Sequence, residues 1–306
     1  MRDVVGPVPG PHGGDGPRLA RALGVEADAV LDLSVSLNPF APDVAALVAA
    51  AAESVRRYPD SEPACVALAD AIGVDRERVV LTNGGAEAIA LVAAERPVGR
   101  VDDPDFSLYA RHLRVLVRDG PRWRSNPHNP TGRLADAGER AAVWDEAFYP
   151  LATGRWTRGD ADAFVVGSLT KVFACPGLRV GYVIAPDAAG ATALRARQPE
   201  WSVGSLACDI VPRVLADADV AGWSVGIAGL RNDLVALLTG IGLEPDPSDA
   251  TFVLVRQADG VREHLARRAV LVRDTASFGT PGGVRIAVPD TAGLDRLTSA
   301  LEGWRC

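Results

Sequence analysis

Apolar positions along the chain form short continuous blocks and longer stretches with helical spacing. Blocks rich in Val, Ile, Leu and Phe and bounded by Gly, Asp or Pro read as strands buried on both faces. They lie at Val30–Val35, Arg78–Thr82, Ala141–Trp144, Phe164–Gly167 and Val180–Ile184. Helical spacing runs over Val44–Arg57, Pro63–Ile72, Ser205–Ala216 and Val220–Ile241, and a helix opens near Ala86 after the turn Asn83-Gly84-Gly85. A strand-rich tail follows, Phe252–Val255, Val270–Val272 and Val284–Val288, closed by a helix over Thr291–Trp304. The first 28 residues, rich in Gly and Pro, read as an extended arm with one helix near Pro17–Leu23. Strands alternating with helices predict an α/β protein with a mostly parallel central sheet sandwiched by helices. The expected division is an arm over 1–40, a large domain over 41–198 and a smaller α+β domain over 199–306, with the arm packed on the latter.

Composition narrows the class. The net charge is −7 and no basic run interrupts the chain, which argues against a nucleic-acid partner. The most apolar stretch, Val44 to Val55, is too short to span a bilayer. Met1–Gly10 has no apolar core before a cleavage site, so no secretory signal is expected. Cys65, Cys175, Cys208 and Cys306 are widely spaced and suggest neither a disulfide framework nor a metal site. A cytoplasmic location fits these features. Of the 32 basic residues, Lys171 is the single lysine. GC-rich codon bias accounts for the arginines, but arginine cannot replace an amine that must condense with an aldehyde.

The surroundings of that lysine are specific. In Ser168-Leu169-Thr170-Lys171 a hydroxyl precedes the amine by three residues, and Gly177-Leu178-Arg179 follows. Pyridoxal 5'-phosphate needs this set: an amine for its aldehyde, and a hydroxyl and an arginine for its phosphate. Three further segments supply complementary groups. Asn83-Gly84-Gly85-Ala86 opens a helix whose N–H groups can cradle a phosphate. Asn129, between Pro127 and Pro130, can donate to the ring oxygen, although alone it reads equally well as an Asx turn. Asp145, at the end of a strand in Trp144-Asp145-Glu146-Ala147-Phe148, can pair with a protonated pyridine nitrogen.

Taken together these segments resemble fold-type I pyridoxal-phosphate enzymes, in particular the branch holding histidinol-phosphate aminotransferase and threonine-phosphate decarboxylase. The resemblance covers almost the whole chain. It implies an aspartate-aminotransferase-like fold and a homodimer with shared active sites. It assigns Gly85, Ala86, Ser168 and Arg179 to the phosphate, Asn129 to the ring oxygen, Asp145 to the pyridine nitrogen and Lys171 to covalent attachment. Phe106, in Pro104-Asp105-Phe106-Ser107-Leu108-Tyr109, matches the aromatic stacked on the ring. Tyr58 matches the tyrosine that reaches a neighbouring subunit's phosphate. Arg285 matches the arginine that clamps the substrate carboxylate.

Within the branch, Pro11-His12-Gly13-Gly14, the run Leu31 to Pro39, Phe148 in place of a tyrosine, and Pro199-Glu200-Trp201 resemble the decarboxylase. That implies conversion of L-threonine O-3-phosphate to (R)-1-amino-2-propanol O-phosphate for cobalamin biosynthesis. His12 and Arg273 are candidates for the substrate phosphate, and Asn38 is a further substrate candidate. An aminotransferase of the histidinol-phosphate type is the alternative, and a catalytically inactive binding module a third. The chain departs from the pattern in three places. The stretch between Phe106 and Asn129 is short, so a strand or helix there is expected to be missing or minimal. His128 replaces an asparagine, and Gly204 stands where asparagine is common.

Overall fold

The apolar blocks assemble into two sheets in the structure, a computed structural model that describes residues 8, 10 and 12–304. The readings made on Met1–Gly10, Pro11 and Cys306 fall wholly or mostly outside the described residues. The strands are β1 (Leu31–Leu33), β2 (Val79–Thr82), β3 (Val98–Val101), β4 (Val115–Leu116), β5 (Arg122–Ser125), β6 (Val143–Asp145), β7 (Phe164–Gly167), β8 (Gly181–Ile184), β9 (Phe252–Val255), β10 (Val270–Asp274) and β11 (Val284–Ala287). The α-helices are α1 (Gly16–Leu23), α2 (Val44–Ala50), α3 (Glu62–Ile72), α4 (Gly84–Glu95), α5 (Leu108–His112), α6 (Tyr149–Thr153), α7 (Leu169–Val172), α8 (Ala188–Arg195), α9 (Ser205–Ala216), α10 (Val220–Gly240), α11 (Val261–Ala266) and α12 (Thr291–Leu301). Among the described residues no helix is long and apolar enough to cross a membrane.

The larger sheet has the order β2-β8-β7-β6-β5-β3-β4. Neighbours from β7 to β4 run parallel, whereas β8 is antiparallel to both β7 and β2. Every residue of β2, β7 and β8 is buried, as continuous apolar runs covered on both faces require. One face packs on α3 and α9 through Leu68, Ile210 and Val211; the other packs on α4 and α8 through Ile89, Val92 and Leu194. The smaller sheet has the order β1-β10-β11-β9, with β1 parallel to β10 and the other pairs antiparallel. The arm thus supplies an edge strand to this sheet, and Leu19 of α1 packs beside Ala266 and Leu271.

The helices that follow residue 199 do not pack on the smaller sheet alone. The apolar stripe of α9 joins the core of the larger sheet, and α10 spans both cores, with Val220 in the first and Leu234 and Leu238 in the second. The stripe at Ala207, Ile210, Val211 and Val214 has helical spacing, and it seats against Ala64, Cys65 and Leu68 of α3.

Strands β3, β4 and β5 carry no apolar block and were not expected. In β5, Trp123 and Ser125 are buried while Arg122 and Arg124 face the other way, where Glu139 neutralises both and Asp102 also pairs with Arg122. No helix covers that face between Thr131 and Ala142; extended chain carrying Glu139 covers it instead. The segment between Phe106 and Asn129 is minimal as expected, with a five-residue α5 and a two-residue β4.

Candidate active site

The C-terminal ends of β5, β6 and β7 lie level, in the register Ser125↔Asp145↔Val166. A cavity of about 230 Å³ opens there, bounded on its far side by β10, β11 and the arm. Ligands in open α/β sheets sit at this end because loops converge there.

Lys171 lies in α7, a single turn too short to persist alone. Tertiary bonds hold it. Thr170 N–H donates to the Val180 carbonyl at 3.2 Å, and Asn38 N–H donates to the Lys171 carbonyl at 3.1 Å. The Asn38 amide also donates to the Val172 carbonyl at 2.8 Å and accepts from Phe40 N–H at 2.9 Å. Asn38 therefore does not line the cavity, as a substrate contact would; its polar groups fasten the lysine turn. Burial, reinforced by the charges of Arg285 and Arg179, pulls the Lys171 amine down to about 8. A sizeable neutral fraction is then present near neutral pH, which nucleophilic attack on an aldehyde needs.

One end of the cavity gathers groups that can hold an anion. Gly85 and Ala86 in the first turn of α4, Ser168 and Arg179 line it. Gly84 takes φ +75°, and a Cβ there would collide with the Arg179 guanidinium. At Gly181 a Cβ would stand 2.6 Å from the Gly85 nitrogen. Both glycines let the helix N-terminus and the arginine converge on one point. Ser168 shares a 2.8 Å hydrogen bond with Thr170.

In the middle of the cavity lie Phe106, Asp145, Asn129 and Lys171. Asp145 accepts from the Tyr109 hydroxyl at 2.8 Å and from Ala147 N–H at 3.0 Å. Burial raises its carboxyl to about 6, partly offset by those two bonds. No guanidinium or amine stands within ion-pair distance of it among the described residues. A buried carboxylate so placed favours a cationic ring nitrogen opposite it. Phe106 sits between the rings of His12, 5.6 Å away, and Tyr109, 5.7 Å away.

At the other end, Arg285 of β11 is buried, and its guanidinium lies 4.5 Å from the Phe252 ring centre. It donates to the Asn129 side-chain oxygen at 2.6 Å and to the Ser34 carbonyl at 3.4 Å, while its buried Nε has no partner. No carboxylate neutralises it among the described residues. Burial, with Arg273 nearby, lowers it to about 9. Arg273 stands directly opposite on β10 and also faces the cavity, as does His12. Burial and the charges of Arg273 and Arg111 lower the His12 imidazole, and its Nδ1 is buried without a partner.

Tyr58 does not join this cavity. It is 79% exposed and its ring lies 4.8 Å from that of Trp201, tilted by 41°. Sequence reasoning passed over the role of Tyr109 toward Asp145, a bond between residues 36 positions apart that no local pattern signals. It also passed over the Asp105–Ser125 pair described below.

A helix N-terminus with an arginine, an amine, an aromatic ring and a buried carboxylate meet in one cavity at the C-terminal edge of this sheet, the arrangement of a fold-type I pyridoxal-phosphate enzyme. The chain belongs to the family aminotransferase class I and II, whose family model matches residues 123–301. Its coenzyme is pyridoxal 5'-phosphate. It is 30% identical to histidinol-phosphate aminotransferase 2 of Ralstonia nicotianae over 92% of each chain. It is 27% identical to the threonine-phosphate decarboxylase of Salmonella typhimurium, covering 95% of each. The solved histidinol-phosphate aminotransferase of Sinorhizobium meliloti, in complex with pyridoxal-5'-phosphate, shares the fold with a TM-score of 0.79 over 92% of both chains, at 19% identity. The Ralstonia alignment spans 345 positions although only 92% of this 306-residue chain takes part, so that relative carries segments absent here.

Proposed function

We propose that this chain is an aminotransferase of the histidinol-phosphate type, transferring an amino group from a phosphorylated amine to a dicarboxylic oxo-acid. The observation that carries this reading is the pair Arg285 and Arg273, opposed in register on β11 and β10 and both facing the cavity. Two cationic groups on one wall match a substrate with two anionic ends, or one whose single anion is a phosphate. Relatives named as histidinol-phosphate aminotransferases support the choice.

In this reading Lys171 would hold the coenzyme through its Nζ and, once free, would move a proton at the substrate carbon. Bound coenzyme supplies the electron sink that makes that carbon acidic. Asp145 would keep the ring nitrogen protonated, Phe106 would pack on the ring, and the Asn129 NH₂ would donate to the ring oxygen. Gly85, Ala86, Ser168 and Arg179 hold the coenzyme phosphate. Arg285 clamps the substrate carboxylate, while Arg273 and His12 take the distal anion. Tyr58, outside its own cavity, serves the coenzyme phosphate of a second copy in a homodimer.

A second reading, decarboxylation of threonine phosphate, draws support from the Salmonella relative and from the position of His12 beside Phe106. Both reactions would use the same groups; they differ in which bond at the substrate carbon would break. Holoenzyme given L-histidinol phosphate and 2-oxoglutarate should form glutamate. Release of CO₂ from threonine phosphate without any oxo-acid, and no glutamate in the first assay, would replace the aminotransferase reading with the decarboxylase. Inertness in both assays would favour a binding module.

A further inference from the structure

We propose that Asp105 is a positioning residue for the coenzyme: its buried carboxylate ties the loop of Phe106 to the loop of Ser125 and Asn129, and so sets both side chains against the ring. The proposal rests on the reading that Phe106 and Asn129 face the coenzyme. Asp105 does not line the cavity, whereas Phe106, Ser125 and Asn129 do. Its Oδ1 accepts from the Ser125 hydroxyl at 2.5 Å and from Phe106 N–H at 2.7 Å. Its Oδ2 accepts from Ser125 N–H at 3.1 Å, with His128 Nε2 at 4.0 Å. The Ser125 hydroxyl in turn accepts from Asn129 N–H at 2.7 Å. The Asn129 side-chain oxygen is occupied by Arg285, which leaves its NH₂ for the cavity.

A carboxylate is costly to bury and is found where several donors must be met at once. Here it is 6% exposed, and no lysine or arginine pairs with it among the described residues. Packing alone calls for no charge at this point. Three donors arriving from two chain segments do, because a carboxylate can accept them all on its two oxygens. An asparagine has one acceptor oxygen, and its NH₂ would face the Ser125 N–H. The bridge fixes Asn129 at its backbone while Arg285 fixes its side chain, so the direction of the NH₂ is set from both sides.

The test is a pH titration of the visible absorbance of holoenzyme for the natural chain, Ser125→Ala, Asp105→Asn, Asn129→Ala and the double variant Ser125→Ala/Asn129→Ala. A donor aimed at a ring oxygen stabilises its deprotonated form, so losing or misdirecting it raises the titration midpoint. Asn129→Ala should raise it by about one pH unit, a tenfold change in proton affinity. Ser125→Ala and Asp105→Asn should move it the same way, and the double variant no further than Asn129→Ala alone. A residue with only a structural role would lower the melting temperature and leave the midpoint in place. A moved midpoint in Asn129→Ala with unmoved midpoints in Ser125→Ala and Asp105→Asn would overturn the positioning role alone. An unmoved midpoint in Asn129→Ala would overturn the assignment of Asn129 to the coenzyme, and the positioning role with it. Should Asp105→Asn fold poorly, Ser125→Ala, which removes one oxygen atom, decides the question.

Discussion

Replacing Arg285 by methionine separates the stability of the cavity from its use. In the free protein burial holds the guanidinium at about 9, against an ordinary 12.5, with Arg273 adding to the shift. At about 1.4 kcal/mol per pH unit this is a cost on the order of 5 kcal/mol. The cost is present in full below pH 9, where the group is charged in both folded and unfolded chains, and fades as the pH climbs from there toward 12.5. The Phe252 ring beneath it returns roughly 1–2 kcal/mol, and the bond to Asn129 about 1–3 kcal/mol. Methionine fills similar volume and removes the charge, but leaves the Asn129 oxygen without its donor. Arg285→Met should therefore lie within about 2 kcal/mol of the natural protein, a melting shift of no more than roughly 4 °C in a chain of this length. Binding should respond very differently. A two-pronged guanidinium–carboxylate contact contributes about 1.5 kcal/mol or more per bond, so the dissociation constant for glutamate should rise at least about a hundredfold. Thermal melts and titration of the coenzyme absorbance with glutamate measure the two quantities. A variant that melts more than about 10 °C lower yet binds glutamate normally would refute the reasoning, since the arginine would then be serving the fold and not the ligand.

Other perturbations follow from the same geometry. Phe106→Ala removes the ring between His12 and Tyr109 and the surface offered to the coenzyme; equilibrium dialysis should show coenzyme affinity about three- to tenfold weaker. Asp145→Ala leaves the Tyr109 hydroxyl and the ring nitrogen without their acceptor, and should weaken coenzyme binding by roughly ten- to a hundredfold in the same assay. Glu146 is fully buried and raised by that burial to about 7 from 4.5. Its folded form holds a proton that the unfolded form has lost, so the stability it contributes is present below about pH 4.5 and is lost as the pH rises through 7. Glu146→Gln should therefore gain on the natural protein between pH 5 and pH 8 in urea unfolding, by up to roughly 3 kcal/mol. A difference that does not change with pH would contradict this.

The parts of the fold legible in sequence were those whose burial leaves a continuous apolar signature, such as β2, β7, β8 and β9. Strand β5 was hidden because alternate positions carry arginine, and only the distant Glu139 and Asp102 make that face tolerable. The allegiance of α9 was hidden for another reason: its apolar stripe fits any apolar partner, and only the tertiary structure selects α3. The groups the structure gathers at one cavity, Lys171, Asp145, Asn129, Ser168, Arg179 and Arg285, stood out as a set of short motifs, although Asn129 alone reads equally well as an Asx turn. The bonds of Asn38 to the lysine turn were hidden because that turn lies far along the chain. Asp105 was passed over because Ser125, which gives it two of its three donors, lies 20 residues away, beyond any local pattern.

Covalent attachment of the coenzyme at Lys171 is the claim on which the rest depends, and the composition makes it unusually easy to test, since the chain has no other lysine. Holoenzyme should be reduced with borohydride, digested and mapped by mass spectrometry. A pyridoxyl-phosphate adduct on the peptide containing Lys171, and loss of that adduct in Lys171→Ala, is the result expected. An unmodified Lys171 after added coenzyme and reduction would contradict the account at its centre.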